Sequence, residues 1–238
     1  MGCDIHFYTD RRVDGAWHPV DVFKRDAPDE DNKEGYLRAA SHLYNDRSYK
    51  LFAILADVRN GRGFAGVKTG EGFNPIAQPK GIPEDATAEY REVADSWGID
   101  GHSHGYFTLR ELLDYNWTQT TKLQGWCAFK EWADWFGWKR ANGEGPNSYC
   151  GGVGGGSVKH IEPQQMDELV KAYRGLRSAA ERSAFEKLHE STYALAVWGT
   201  TYAEASGAFW TSTIPRLLAL AGGIKGIDDV RICFFFDN

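Results

Sequence analysis

Two short patterns bring titratable side chains within reach of one another. The first is Asp4-x-His6, inside a segment where Cys3, Ile5 and Phe7 alternate with Asp4, His6 and Tyr8. Residues two apart on a strand share a face. Asp4 and His6 are therefore expected side by side on the polar face of a half-buried strand. A carboxylate beside an imidazole can orient it, or the two can ligate a metal, and histidine changes charge near neutral pH. A plain solvent-facing strand edge would carry the same pattern. The second is His102-x-His104, flanked by Asp100, Gly101 and Gly105. Two neutral imidazoles so spaced can bind a metal, or act as general base and general acid in phosphodiester cleavage. A polar loop whose imidazoles cap carbonyls is the plainer alternative. Asp4, His6, His102 and His104 form the candidate catalytic set, or the ligand set of a zinc or manganese ion if the cofactor is a divalent metal.

Candidate ligand-binding residues surround these patterns. Arg59 and Asn60 lie in Arg59-Asn60-Gly61-Arg62, where guanidinium groups can hold phosphate oxygens in bidentate fashion or simply match a helix dipole. Tyr8, Tyr106 and Arg231 complete the set. The glycine tract Gly151–Gly156 lacks the spacing of a P-loop and reads as a mobile loop, with a phosphate cradle of backbone amides as the alternative. Trp126, Trp132, Trp135 and Trp138 read as core before stacking platform.

The elements that must position these residues follow from periodicity. Asp14-Gly15 marks a hairpin turn, with Ala16–Val20 as the returning strand. The spacing predicts a helix over Ser48–Arg59 ended by Asn60-Gly61, and Asp26–Glu34 reads as a loop. Gly61–Gly81 holds six glycines and two prolines and reads as a long irregular loop. A short helix is expected within Pro83–Trp97. The two histidines then sit in a loop or short strand feeding a helix, which Thr108-Leu109-Arg110-Glu111 starts as a capping box. Further helices are expected from Pro163, over Ala179–His189, and from Tyr202 to Ala221 with a kink at Pro215. Tyr193–Trp198 reads as a strand. Val230–Asp237 is nearly all apolar, as in a strand covered on both faces. The expected architecture is one α+β domain spanning 1–238. Its central sheet is mixed or antiparallel, the terminal strands lie close together, and helices and long Gly-rich loops surround it. If those strands are neighbours, the Asp4/His6/Tyr8 face meets Arg231 or Asp237.

Composition narrows the function classes. The net charge of −6 disfavours a grip on duplex nucleic acid, which normally takes a basic face. No apolar run is long enough to span a membrane, and no secretory leader is visible. A cytoplasmic setting with four free thiols is expected: Cys3, Cys127, Cys150 and Cys233 show no C-x-x-C spacing. A homo-oligomer is compatible with all of this.

The opening Met1–His6, the helix Tyr49–Asn60, the His102-Ser103-His104 segment and the ending Val230–Asn238 resemble a family of small, uncharacterised proteins of bacteriophages and some bacteria. The resemblance brings no settled activity. It implies the cytoplasm of an infected bacterium, where phage accessory proteins often counter host defences that signal with cyclic nucleotides or NAD-derived molecules. With the histidines, this gives a first expectation of an enzyme cleaving the phosphodiester of a nucleotide signal. A sponge that sequesters such a ligand unchanged, or a protein-binding module, is the alternative.

Overall fold

The computed structural model describes residues 2–28, 30 and 32–237. Asp29 and Asp31 of the expected loop, Met1 and Asn238 lie outside them. The fold is α+β. Its strands are β1 (Ile5–Val13), β2 (Ala16–Pro19), β3 (Phe23–Arg25), β4 (Leu37–Ala39), β5 (His102–Thr108), β6 (Thr120–Ala128), β7 (Lys159–His160), β8 (Thr192–Thr201) and β9 (Val230–Phe236). Contacts gather into two compact units: residues 1–60, 73–118 and 203–238 form the first, and 61–72 with 119–202 the second.

The first unit is built on an antiparallel sheet of order β2-β1-β9-β5. β1 and β2 join through Asp14 and Gly15, both at positive φ, as the tight hairpin requires. The terminal strands do pair: His6 faces Phe235 and Tyr8 faces Cys233. All seven residues of β9 are buried, which explains a strand apolar on both faces. One face carries Phe7, Phe234 and Phe236. It packs on the helix α1 (Tyr49–Ala56), whose Phe52 ring lies 5.0 Å from that of Phe236. The other carries Tyr8, Cys233 and Phe235 under the helix α2 (Ala88–Ser96), through Tyr90, Val93 and Ala94.

Several boundaries depart from the sequence reading. β1 is not half-buried, because α2 and the β3–β4 hairpin cover its second face over Tyr8, and Asp10 beyond it is buried as well. α1 stops at Ala56, where Asp57 takes a left-handed conformation and closes the helix with its N–H on the Ala53 carbonyl. The expected helix over 202–221 is three pieces, Tyr202–Ser206, a π-turn at Phe209–Thr213 and Ile214–Leu220. Gly207 at φ 57° makes the first break. Pro215 sits in the opening turn of the last piece, where its missing N–H costs nothing.

Asp21 adds a pH-dependent element to this unit. Its carboxylate is buried and accepts the Thr9 N–H at 2.6 Å. Desolvation pushes its pKa up to about 6 from 3.8, against the pull of the Thr9 N–H and of His42 and Arg216, with Asp10 adding to the rise. A carboxyl raised in the folded state stabilises it when protonated. That contribution is full below pH 4 and is lost as pH rises through about 6. The difference of about two units corresponds to about 3 kcal/mol. Asp21→Asn keeps an acceptor for Thr9 and cannot ionise. It is expected to flatten the pH dependence of the urea midpoint between pH 4 and 7; an unchanged profile would show that Asp21 does not set it.

The second unit pairs β6 with β8 in an antiparallel ladder of nine residues, and β7 joins β8 in parallel. Leu123, Cys127, Ala194 and Ala196 are buried. β8 packs on the helices Phe129–Trp135 and Pro163–Gly175, which bury Phe129, Trp132, Met166 and Val170. Pro163 opens its helix as expected. The aromatic run 126–138 is split, with Trp126 on β6 and Trp132 and Trp135 in the helical core.

Candidate active site

The strand alternation of β1 sends His6 and Tyr8 to the same face, into a cleft of about 460 Å³ in the first unit. Tyr36, Arg38 and His42 line it from the β3–β4 hairpin and the chain after it, and Trp97 from the end of α2. Thr87 starts α2 by accepting the Tyr90 N–H, and Trp97 caps its last turn, which aims the indole at the cleft.

His6 is held on three sides. Its ring stacks on Phe235 at 4.5 Å and 12°, and Trp97 lies 4.3 Å away at 49°. Its Nε2 lies 3.3 Å from Asp237 Oδ2. A carboxylate only accepts, so Nε2 carries the proton and Nδ1 is the basic nitrogen. The other Asp237 oxygen accepts the Asp4 N–H at 2.8 Å, which fixes the carboxylate. Burial lowers the His6 pKa, with Asp237 and Asp4 opposing it. His42 is oriented differently. Its Nδ1 lies 3.1 Å from the Phe7 carbonyl, an acceptor, so Nδ1 is protonated. Its Nε2 makes no hydrogen bond among the described residues. The Arg38 guanidinium pairs with Asp26 at 2.5 Å in an exposed bridge. Such bridges contribute at most about 1 kcal/mol, so Arg38 can exchange its partner for a ligand anion.

The other sequence-selected residues have different surroundings. Asp4 projects to Arg47 in a two-pronged ion pair that lowers its pKa, and its hydrogen-bonded link to His6 runs from its backbone N–H through Asp237. His102 and His104 do not share a face. Ser103 at φ 51° forms a bulge in β5. His104 then stacks by Phe235 at 5.1 Å and His102 by Phe236 at 6.1 Å, on opposite sides of β9. Gly105 beside them has to be glycine, since a Cβ would lie 2.7 Å from the Phe234 ring. His102 Nε2 and His104 Nδ1 are buried without a hydrogen-bond partner among the described residues, and burial lowers the His104 pKa. His6 and His104 flank the Phe235 ring from strands on either side of β9, two strand spacings of about 4.8 Å apart. Of the two expected partners of His6, His104 shares the Phe235 ring with it and His102 lies on the other side of β9.

Arg231 does not meet the Asp4/His6/Tyr8 edge; it is buried against Asp10 and Asp85, its guanidinium 4.3 Å from the centroid of Trp17. Arg59 bonds the Gly2 carbonyl and lies over Tyr49. Asn60 clamps Asp57 and both backbone groups of Phe73. Tyr106 is matched with Tyr8 across Cys233, but Lys80 stands 5.1 Å from its ring. Tyr8 is in the cleft but buried, which raises its hydroxyl pKa far above the usual range. Among the described residues, no group of three or more His, Cys, Asp or Glu side chains could hold a metal ion.

His42, Arg38 and Trp97 escaped the sequence reading. His42 lies in irregular chain, Trp97 in a helix cap and Arg38 in a three-residue strand, too short for a period to mark a shared face. No family model, curated protein or solved structure matches the chain. No helix among the described residues is long and apolar enough to cross a membrane.

Proposed function

We propose that the first-unit cleft binds a nucleotide and that His6 and His42 cleave its phosphodiester. The reading rests on one observation: two imidazoles line one cleft with a guanidinium, each with one ring nitrogen fixed by an acceptor and the other unbonded. His6 is the general base, because burial keeps it neutral and Asp237 holds the tautomer with Nδ1 free. His42, protonated at Nε2, is the general acid. Arg38 holds the phosphate, and Tyr36 and Trp97 offer rings for a base. In an RNA-like linkage, His6 Nδ1 takes the proton of the 2′-hydroxyl, whose oxygen bonds phosphorus. The bond from phosphorus to the 5′-oxygen breaks, and His42 Nε2 gives that oxygen its proton. The products are a 2′,3′-cyclic phosphate and a 5′-hydroxyl. The role against host defence signalling, in the cytoplasm of an infected bacterium, rests on the phage-family resemblance.

Purified protein incubated with cyclic di- and trinucleotides and NAD-derived cyclic nucleotides, followed by HPLC, tests this. New products that persist in EDTA are expected. Products abolished by EDTA would replace the imidazole pair with metal chemistry. A ligand that disappears and returns intact on heating would make the protein a sponge. A panel left free and unchanged would overturn the nucleotide reading and turn attention to protein partners.

A further inference from the structure

The second unit has a separate small cavity of about 170 Å³. Trp126 and Ala128 point the same way from β6, and the register sets Tyr193 of β8 opposite Ala128. Both rings line the cavity. One face of Trp126 is covered by His160, stacked at 4.3 Å and 22°, so a ligand has only the other. Its backbone is paired with Cys150 through both hydrogen bonds, at 2.8 and 3.0 Å. Glu131, in the first turn of the helix that follows β6, lines the cavity too, with Ser148 and Tyr149.

Glu131 is half-buried, yet it makes no hydrogen bond or ion pair among the described residues. A carboxylate partly withdrawn from water beside two rings sets up a negative site. The faces of Trp and Tyr carry negative charge in their quadrupoles, so rings and carboxylate attract the same kind of ligand. Anions are repelled. A hard metal ion would need several oxygen ligands, and this wall supplies one carboxylate. An organic cation fits: its alkyl groups lie on the rings while its charge faces Glu131. From this arrangement we infer that the second unit binds an alkylammonium group, through Trp126, Tyr193 and Glu131.

The indole N–H signals of the nine tryptophans are resolvable by NMR, and Trp126→Phe assigns the one concerned. Choline is expected to move the Trp126 signal with a Kd in roughly the millimolar range. Its neutral isostere, 3,3-dimethylbutan-1-ol, is expected to leave it in place. Glu131→Gln should weaken choline binding about tenfold while the other indole signals stay unmoved, and Trp126→Leu, followed through the choline methyl signal, should weaken it at least as much. A trimethyllysine peptide separates two sources of the same group. Tighter binding than choline assigns the site to a modified peptide, and weaker binding to a small amine. The inference is overturned if choline does not move the signal, if the neutral isostere moves it equally, or if Glu131→Gln binds choline as well as the parent.

Discussion

Arg231→Ala is expected to remove about 3–5 kcal/mol of stability, the range for breaking one side of a buried ion pair. Domains hold only about 5–15 kcal/mol in all, so the melting temperature should fall by roughly 6–20 °C. The size follows from what stays behind. Arg231 is 3% exposed and bonds Asp10, itself 1% exposed, at 2.9 Å. Burial raises the Asp10 pKa and Arg231 opposes the rise. Without the guanidinium, Asp10 either carries an uncompensated buried charge or takes up a proton. The variant should therefore lie closest to the parent in acid and lose ground as pH rises. Asp85 is the control. Its side chain is 66% exposed, so Asp85→Ala should cost less than about 1 kcal/mol. Asp10→Asn with Arg231→Met should recover much of the loss by removing both charges. Urea unfolding at pH 5 and 8 measures all four proteins, and an Arg231→Ala loss below about 1 kcal/mol would show that the pair is not holding the sheet.

The same residue shows how far the sequence can be read. The apolar run Val230–Phe236 announces a doubly covered strand, and the polar–apolar alternation at the N-terminus announces its neighbour. Both follow from local periodicity, and the structure pairs them. An arginine in such a run has two readings: a ligand contact or a partner for a buried acid. The second depends on Asp85, 146 residues away, and on Asp10 across a strand register no spacing reveals. The placement of His102 and His104 was hidden for a related reason: their spacing puts them in a loop or short strand, and only the bulge at Ser103 turns the rings to opposite faces. Conversely, the closeness of His6 to Asp237 was legible, because it needed only adjacent terminal strands. His42 was not, since its orientation comes from the Phe7 carbonyl, a group every residue possesses.

His6→Ala and His42→Ala should each lower turnover of the cleaved nucleotide about 10²–10⁴-fold, the usual contribution of one positioned acid or base. The double variant should lose far less than the product of the two, because a base without its acid has little left to accelerate. His102→Ala and His104→Ala should change turnover little, since the nitrogens without partners are buried. The pH profile separates a chemical role from a merely structural one. The base must be unprotonated, so the rate falls as pH drops through the His6 pKa, which burial holds below 6.5. Asp237 raises that pKa against burial. Asp237→Asn should therefore move the acid limb to lower pH and reduce the plateau by loosening the ring, without abolishing the reaction. His42→Ala should retain that acid limb. A substrate with a good leaving group needs no general acid, so it should rescue His42→Ala and leave His6→Ala slow. If both variants are rescued alike, the assignment of acid and base to these two rings is wrong.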